Sequence, residues 1–255
     1  MSNGDREKPD SNRAAWAQLG ALQTLARCTS LQSMRKPLGE LTAALELGGY
    51  KFCIATPEPD GYRIRAVIAG GALDTAPEGF LGAKIGPNDP ILWESYRSIA
   101  PVSWTPYFAD TLLMAASGVN QLAEKDVTCG ASIPILSQAN TCRATLCVSG
   151  RPHEEPECLD LRLPAFWPLL RLAGLALFEA GMAEATERAQ SDLTPSEVAV
   201  LSALSDGKRI KDVAYEMGKS ERTIRNQLDS ARLRIGASTT IEAVVRWQRS
   251  NLMPI

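Results

Sequence analysis

The chain has 255 residues, 45% of them apolar and 22% charged, with a formal net charge of −2. Those proportions belong to an ordinary folded protein of one large or two modest domains, and they exclude a fibrous or wholly disordered chain. The charge is unevenly shared: residues 193–255 hold ten Lys/Arg against seven Asp/Glu, a net of +3, while the rest holds 17 basic and 22 acidic residues, a net of −5. Such asymmetry points to a nucleic-acid-facing C-terminal end.

In chain order, residues 1–12 (MSNGDREKPDSN) carry five charges and almost nothing apolar, so they read as a disordered tail. No basic segment followed by an apolar core opens the chain, and a cytoplasmic location is expected. "AAWAQLGALQTLARCTSLQSMRKPLGELTAALELGG" predicts two helices ending at Gly48-Gly49. "YKFCIATPE" and "GYRIRAVIAG" predict two strands around the turn Pro59-Asp60-Gly61, and "GASIPIL" with "RATLCVSG" predicts two more. A helix-rich segment separates the pairs, and a long apolar helix follows from about Leu161. Its most apolar part, Leu163 to Met182, is interrupted by Pro168, Arg171 and Glu179, which favours a buried globular helix over a membrane span. The expected fold is α+β: an N-terminal α-β-α sandwich with an antiparallel sheet over 13–181, a linker over 182–192, and an all-α four-helix domain over 193–255.

The six cysteines form no CxxC pair, and the one histidine, His153, has no histidine neighbour. Buried free thiols are expected, not a disulfide framework, a metal site or haem attachment. A hydrolase built on Cys147 or Cys158 with His153 lacks a third, orienting group; His153 reads as a surface loop residue beside Glu154 and Glu155, and no catalytic residue is expected.

The C-terminal passage "LTPSEVAVLSALSDGKRIKDVAYEMGKSERTIRNQLDSARLRIG" is a series of short, fully punctuated helices. Thr194, Pro195 and Glu197 make a capping box before a helix over 195–204. Asp206-Gly207 turns the chain, and Ile210, Val213, Ala214 and Met217 form the apolar stripe of a second helix that Gly218 ends. Ser220 caps a third, whose buried stripe is Ile224, Leu228, Ala231 and Ile235 and whose other face carries Arg222, Thr223, Arg225, Asn226, Gln227, Asp229, Arg232 and Arg234. The short glycine-containing connection is that of a helix-turn-helix, which presents the third helix to a DNA major groove. Arg222 and the cluster Lys208, Arg209 and Lys211 suit phosphates; Arg225, Asn226 and Asp229 are placed for base edges. The alternative is a solvated charged face packed against the other domain.

This passage resembles the four-helix DNA-binding domain of LuxR-type transcription regulators, through Leu193-Thr194-Pro195 with Glu197, Gly207-Lys208, Ile210 to Ala214, Ser220 with Thr223-Ile224, Leu228, and Leu233 before Gly236. The resemblance implies a fourth helix, from Thr240 to Arg249, that helps the domain dimerise on double-stranded DNA. Asp229 stands where relatives are often neutral or basic, so their target sequence does not carry over.

Upstream, "NDPILWESYRSIAPVSW" followed by "CGASIPILSQANTCRATLCVSG" resembles the autoinducer-binding domain of quorum-sensing LuxR-type regulators, over about residues 15–180. The resemblance implies a pocket for an N-acyl homoserine lactone, with Asp89 accepting the ligand's amide N–H and the Trp104 ring packing against the lactone. Ser132 and Thr145 would help hold the amide or acyl carbonyl. Without the resemblance, Asp89 reads as the cap of the helix starting at Pro90, and Trp104 as core. The sequence departs from the family where relatives carry a hydrogen-bonding Tyr and Trp: Ala72 and Ala76 stand there, and Phe80 keeps only a ring nearby. Trp93 and Tyr96 belong to the following helix and do not simply substitute; Tyr50 or Tyr62 would offer a hydroxyl from the sheet. The expected function is therefore a dimeric, cytoplasmic LuxR-type regulator controlled by a small ligand such as an acyl lactone. The alternatives are a regulator that answers another ligand or none, and one that inhibits a related regulator by heterodimerisation.

Overall fold

The computed structural model describes residues 8–74, 80–109, 126–136, 142–191, 193–235 and 237–251. The chain divides into two compact units, Met1–Gly181 and Met182–Ile255.

In the first unit, helices α1 (Lys8–Leu25) and α2 (Leu31–Ala44) precede the hairpin β1 (Gly49–Glu58) and β2 (Gly61–Gly71). Then come β3 (Lys84–Ile85), α3 (Pro90–Arg97), β4 (Val102–Ser103), α4 (Thr105–Ala109), β5 (Gly130–Leu136), β6 (Arg143–Ser149) and α5 (Pro156–Ser191). The strands form one sheet in the order β3-β2-β1-β6-β5-β4, with every neighbouring pair antiparallel. The four anticipated strands are its centre; β3 and β4, two residues each, are additions too short to show any alternation in the sequence.

Two boundaries differ from expectation. Helix α1 begins at Lys8, inside the stretch read as a tail, because Pro9 suits a helix's first turn. Helix α5 runs on through most of the expected linker, where "MAEATERAQS" contains good helix formers and no Gly or Pro. Residues 1–7 and Asp192 lie outside the described residues.

Successive side chains of β1 point to opposite faces. Tyr50, Phe52 and Ile54 face α2 and α5: the Tyr50 hydroxyl donates to the Arg35 carbonyl at 2.8 Å, and a Cβ at Gly174 or Gly181 would stand 2.5 Å from Ile135 or Ile54. These glycines let α5 approach the sheet backbone-first. Among the described residues α5 supplies the one helix long and apolar enough to cross a membrane by length and composition. Its inner side, Leu159, Leu163, Leu170, Ala173, Leu177 and Ala180, is buried in the folded unit. Its outer side exposes Leu161, Leu172 and Leu175.

Arg162 ties the start of α5 to the end of α2. Its guanidinium donates to the Leu45 and Glu46 carbonyls, each at 2.8 Å, and forms a fork with the Glu154 carboxylate at 2.9 and 3.0 Å. That clamp holds Glu46 in the left-handed region at φ 55°, a conformation unfavourable for a residue with a Cβ.

The second unit holds α6 (Pro195–Ser205), α7 (Ile210–Glu216), α8 (Glu221–Arg234) and α9 (Thr240–Asn251). Val200, Leu201, Val213, Ile224, Leu228, Ala231, Ala243 and Trp247 make its core. The anticipated capping box forms: the Thr194 amide donates to Glu197 Oε2 at 2.7 Å, and the Glu197 amide to Thr194 Oγ1 at 3.3 Å. Helices α6 and α7 both end in paired backbone bonds around a left-handed glycine. At Gly207 they are Lys208 N–H to Ala203 and Gly207 N–H to Leu204; at Gly218, Lys219 N–H to Ala214 and Gly218 N–H to Tyr215.

Candidate sensory site and nucleic-acid interface

The face of the sheet away from α2 and α5 carries Lys51, Cys53 and Ala55 on β1, Ile64 on β2, and Thr145 and Cys147 on β6. Helix α3 lies against it, bringing Ile91, Leu92 and Tyr96 into one cluster with Trp104, Tyr107 and the partly buried Tyr62, Phe80 and Ala72. Tyr62 packs its ring 5.0 Å from Tyr96 and 5.7 Å from Trp93, centroid to centroid.

Asp89 heads α3, where its Oδ1 accepts the Leu92 amide at 3.1 Å, so the cap reading is correct for this oxygen. No hydrogen bond to its other oxygen is found among the described residues. Burial outweighs the Leu92 hydrogen bond and the attraction of Lys51, and pushes the carboxyl up to about 6. Lys51 itself stands with Nζ 5.0 Å above the Phe80 ring.

Trp104 is 4% exposed, and its place is set by two neighbours. Its indole N–H donates to Ser132 Oγ at 2.9 Å, and its ring lies so close over Gly130 that a Cβ there would be 2.2 Å away. Ser132 also meets Cys147 Sγ at 3.3 Å, while Thr145 Oγ1 shares a proton with Ser95 Oγ at 2.6 Å. Both hydroxyls expected to face a ligand thus have partners inside the protein. Tyr50 requires a correction: strand register turns it to the other face, where Arg35 takes its hydroxyl, so it cannot serve this site. Ala76 lies outside the described residues, and Ala72 is half-buried against the cluster with no polar side-chain atom.

Tyr96, which the sequence places on the following helix, stands apart from these paired groups. It is 1% exposed, and its hydroxyl has no hydrogen-bond partner among the described residues. Leaving such a group unbonded costs about 1–3 kcal/mol. The legible signal was its spacing, seven positions after Asp89, which places both on one side of α3.

Of the cysteines, Cys53, Cys129, Cys142 and Cys147 are buried free thiols, Cys28 is half-buried and Cys158 exposed. His153 is exposed in a left-handed turn at φ 61°, with Nε2 3.7 Å from Asp126.

In the second unit Ile224, Leu228 and Ala231 turn inward, leaving Arg222, Thr223, Arg225, Asn226 and Asp229 exposed on α8. Arg225 leans on Glu221 at 3.4 Å, and Asp229 on Arg232 at 3.5 Å; both are weak surface pairs that a phosphate or base edge could replace. Arg209 and Lys211 are exposed beside the start of α7. Lys208 is held by Glu216 at 2.7 Å, so phosphate would have to compete with a carboxylate there. Burial alone would raise the Glu197 carboxyl, but hydrogen bonds from Ser230 and Thr194, together with Arg234, pull it below the usual range. One buried carboxylate thereby joins the start of α6 to the last turn of α8 and fixes the angle of the exposed helix.

A separate C-terminal unit with a helix-turn-helix and an exposed basic helix, following an α+β sheet domain, defines a two-domain protein of the helix-turn-helix class. The comparisons agree. Residues 191–247 match the family "Bacterial regulatory proteins, luxR family", so the C-terminal unit is a LuxR-type helix-turn-helix domain. The transcriptional regulatory protein YdfI of Bacillus subtilis (strain 168) is 35% identical over 69 residues, 27% of this chain; the chain spans about a third (32%) of that relative's length. Escherichia coli SdiA has the same fold, with a TM-score of 0.56 at 17% identity over 94% of this chain and 99% of that one. The N-acylhomoserine lactone dependent LuxR family transcription factor CepR2 from Burkholderia cenocepacia covers 68% of this chain and 99% of its own, with a TM-score of 0.50 at 16% identity.

Asp89→Asn separates cap from charge, since Asn caps a helix as well as Asp. A carboxyl raised above its unfolded value of about 3.9 opposes folding once ionised, so its cost is absent below pH 4 and complete above pH 6. At pH 7.5 without ligand the variant should be more stable in urea unfolding by about 2 kcal/mol, a gain that vanishes at pH 4. A variant less stable than the parent at both pH values would show that the carboxylate is structural.

Proposed function

We propose that the chain is a dimeric, DNA-binding transcription regulator whose sheet domain answers a small acylated ligand such as an N-acyl homoserine lactone. The observation that carries this reading is Asp89: a carboxylate largely withdrawn from water, with one oxygen unbonded among the described residues, at the head of the helix that lines an apolar cluster. Such a group favours a ligand that brings an N–H and rejects one that does not, because its desolvation would go uncompensated. CepR2, of like fold, is an N-acylhomoserine lactone dependent factor. Ala72, which supplies no hydrogen bond, favours as a second reading a ligand with a different head group.

Ligand burial would act through stability. Whatever binds the folded sensory domain and not the unfolded chain raises the folded population, and so the concentration of paired DNA-binding domains. A second copy is supported by the outer face of α5. Leu161, Ala165, Pro168, Leu172 and Leu175 are all exposed and recur at spacings of four, three, four and three, with Leu161 at 84% and Leu172 at 57% exposure. That is the seam two helices use to pack on each other. Mixed pairing with a related regulator would use the same seam. Nothing in this activity calls for a catalytic group or a cofactor, and the reading places the protein in the cytoplasm with its DNA.

Three measurements bear on this reading. In thermal unfolding, a panel of acyl lactones should include members that raise the melting temperature by several degrees; no shift with any member, together with unchanged DNA binding, removes the lactone. On a duplex selected from random sequence, Arg225→Ala should weaken the selected site by about 1–3 kcal/mol more than random duplex, whereas Lys208→Ala should weaken both alike. Equal losses for the two variants would put Arg225 on phosphate. In light scattering, Leu172→Glu should shift the ligand-bound protein from dimer to monomer; an intact dimer would place the interface elsewhere.

A further inference from the structure

A buried tyrosine hydroxyl normally finds an acceptor, because the ring can bring it to one at little cost. Tyr96 has not. It is the largest fully buried side chain among the described residues, and its Oη has no hydrogen-bond partner there. The ionisable groups that act on it are the thiols of Cys53 and Cys147 and the Asp89 carboxyl. Burial pushes both thiols up, so at neutral pH they are uncharged and poor acceptors. Phenylalanine would fill the same volume without the orphan atom, so the folded protein gains nothing from this hydroxyl by itself.

Asp89 is the complementary case, an acceptor whose second oxygen has no hydrogen bond among the described residues, at the cap of the same helix. Seven residues along a helix separate the two Cα atoms by about 10 Å. A long side chain on a helix leans back toward the N-terminus, so the tyrosine reaches toward the aspartate across part of that distance. A short group that donates at one end and accepts at the other would satisfy both. A secondary amide does both, with its N–H and C=O pointing in opposite directions.

We propose that Tyr96 is a ligand-binding residue, its hydroxyl donating to the carbonyl of a ligand amide whose N–H is accepted by Asp89. This rests on the small-ligand reading of the sheet domain and narrows it to N-acylated compounds. It also gives α3 the part that a tyrosine before Asp89 would otherwise play. The hydroxyls of Ser132 and Thr145, bonded to Trp104 and Ser95, then serve to hold the wall and not the ligand.

The test uses the full-length protein, N-octanoyl homoserine lactone, and the ester analogue in which oxygen replaces the amide N–H. The parent should be stabilised by the amide and far less by the ester. Tyr96→Phe should melt at or above the parent without ligand, yet bind the amide about tenfold more weakly. A parent unmoved by this amide and by every other acyl lactone of the panel, with DNA binding unchanged, overturns both the lactone reading and this proposal. A parent that binds the amide while Tyr96→Phe binds it equally well overturns the role of Tyr96 alone. A Tyr96→Phe protein that melts well below the parent without ligand, or fails to fold, overturns it too, since the hydroxyl would then have an internal partner.

Discussion

A carboxylate taken out of water must be given donors in exchange, and Asp89 is given one where it has room for several. The geometry around it follows from that shortfall. Helix α3 starts where it does because Asp89 caps it, and the cap fixes which residues of α3 face the sheet: Leu92 and Tyr96 inward, Glu94 and Arg97 outward. Elsewhere on the same wall polar groups are matched in pairs, the Trp104 indole with Ser132 and the Ser95 hydroxyl with Thr145. Such internal pairing makes a wall rigid and leaves its remaining unmatched atoms as the only polar features a guest can meet. On the described part of this wall they include the second oxygen of Asp89 and the Tyr96 hydroxyl.

The second unit is organised by a carboxylate in the opposite condition. Glu197 is 3% exposed but accepts from Thr194 and Ser230 and stands 3.6 Å from Arg234, so its charge is retained and its position over-determined. A satisfied buried charge of this kind holds α6 against α8. An unsatisfied one is available for binding.

How far the sequence was legible depended on the range of the interactions involved. The caps and turns of the C-terminal helices are made within three or four residues, so Thr194, Glu197, Gly218 and Ser220 announced their helices to within a residue or two. The central strands showed by their alternation. The edge strands β3 and β4 did not, because pairing with β2 and β5 defines them and a two-residue segment has no period. The face of Tyr50 was equally unreadable, since it turns on which neighbour of β1 lies against α2. Tyr96 was visible as a helix residue, but its burial and lack of a partner belong to the packing of α3 on β1 and β6, and no local pattern encodes that.

The two turns closed by Gly207 and Gly218 have a further consequence. Each uses six consecutive residues and two backbone bonds, with no contribution from the side chains on the outer face of α8. Loop length there is therefore frozen, while Arg222, Arg225, Asn226 and Asp229 are exposed and, where paired, held only by weak ion pairs within α8. Such a domain separates the holding of a helix from the message the helix carries. Over evolutionary time the target sequence can drift through the four exposed positions one at a time, and no intermediate need lose the ability to fold.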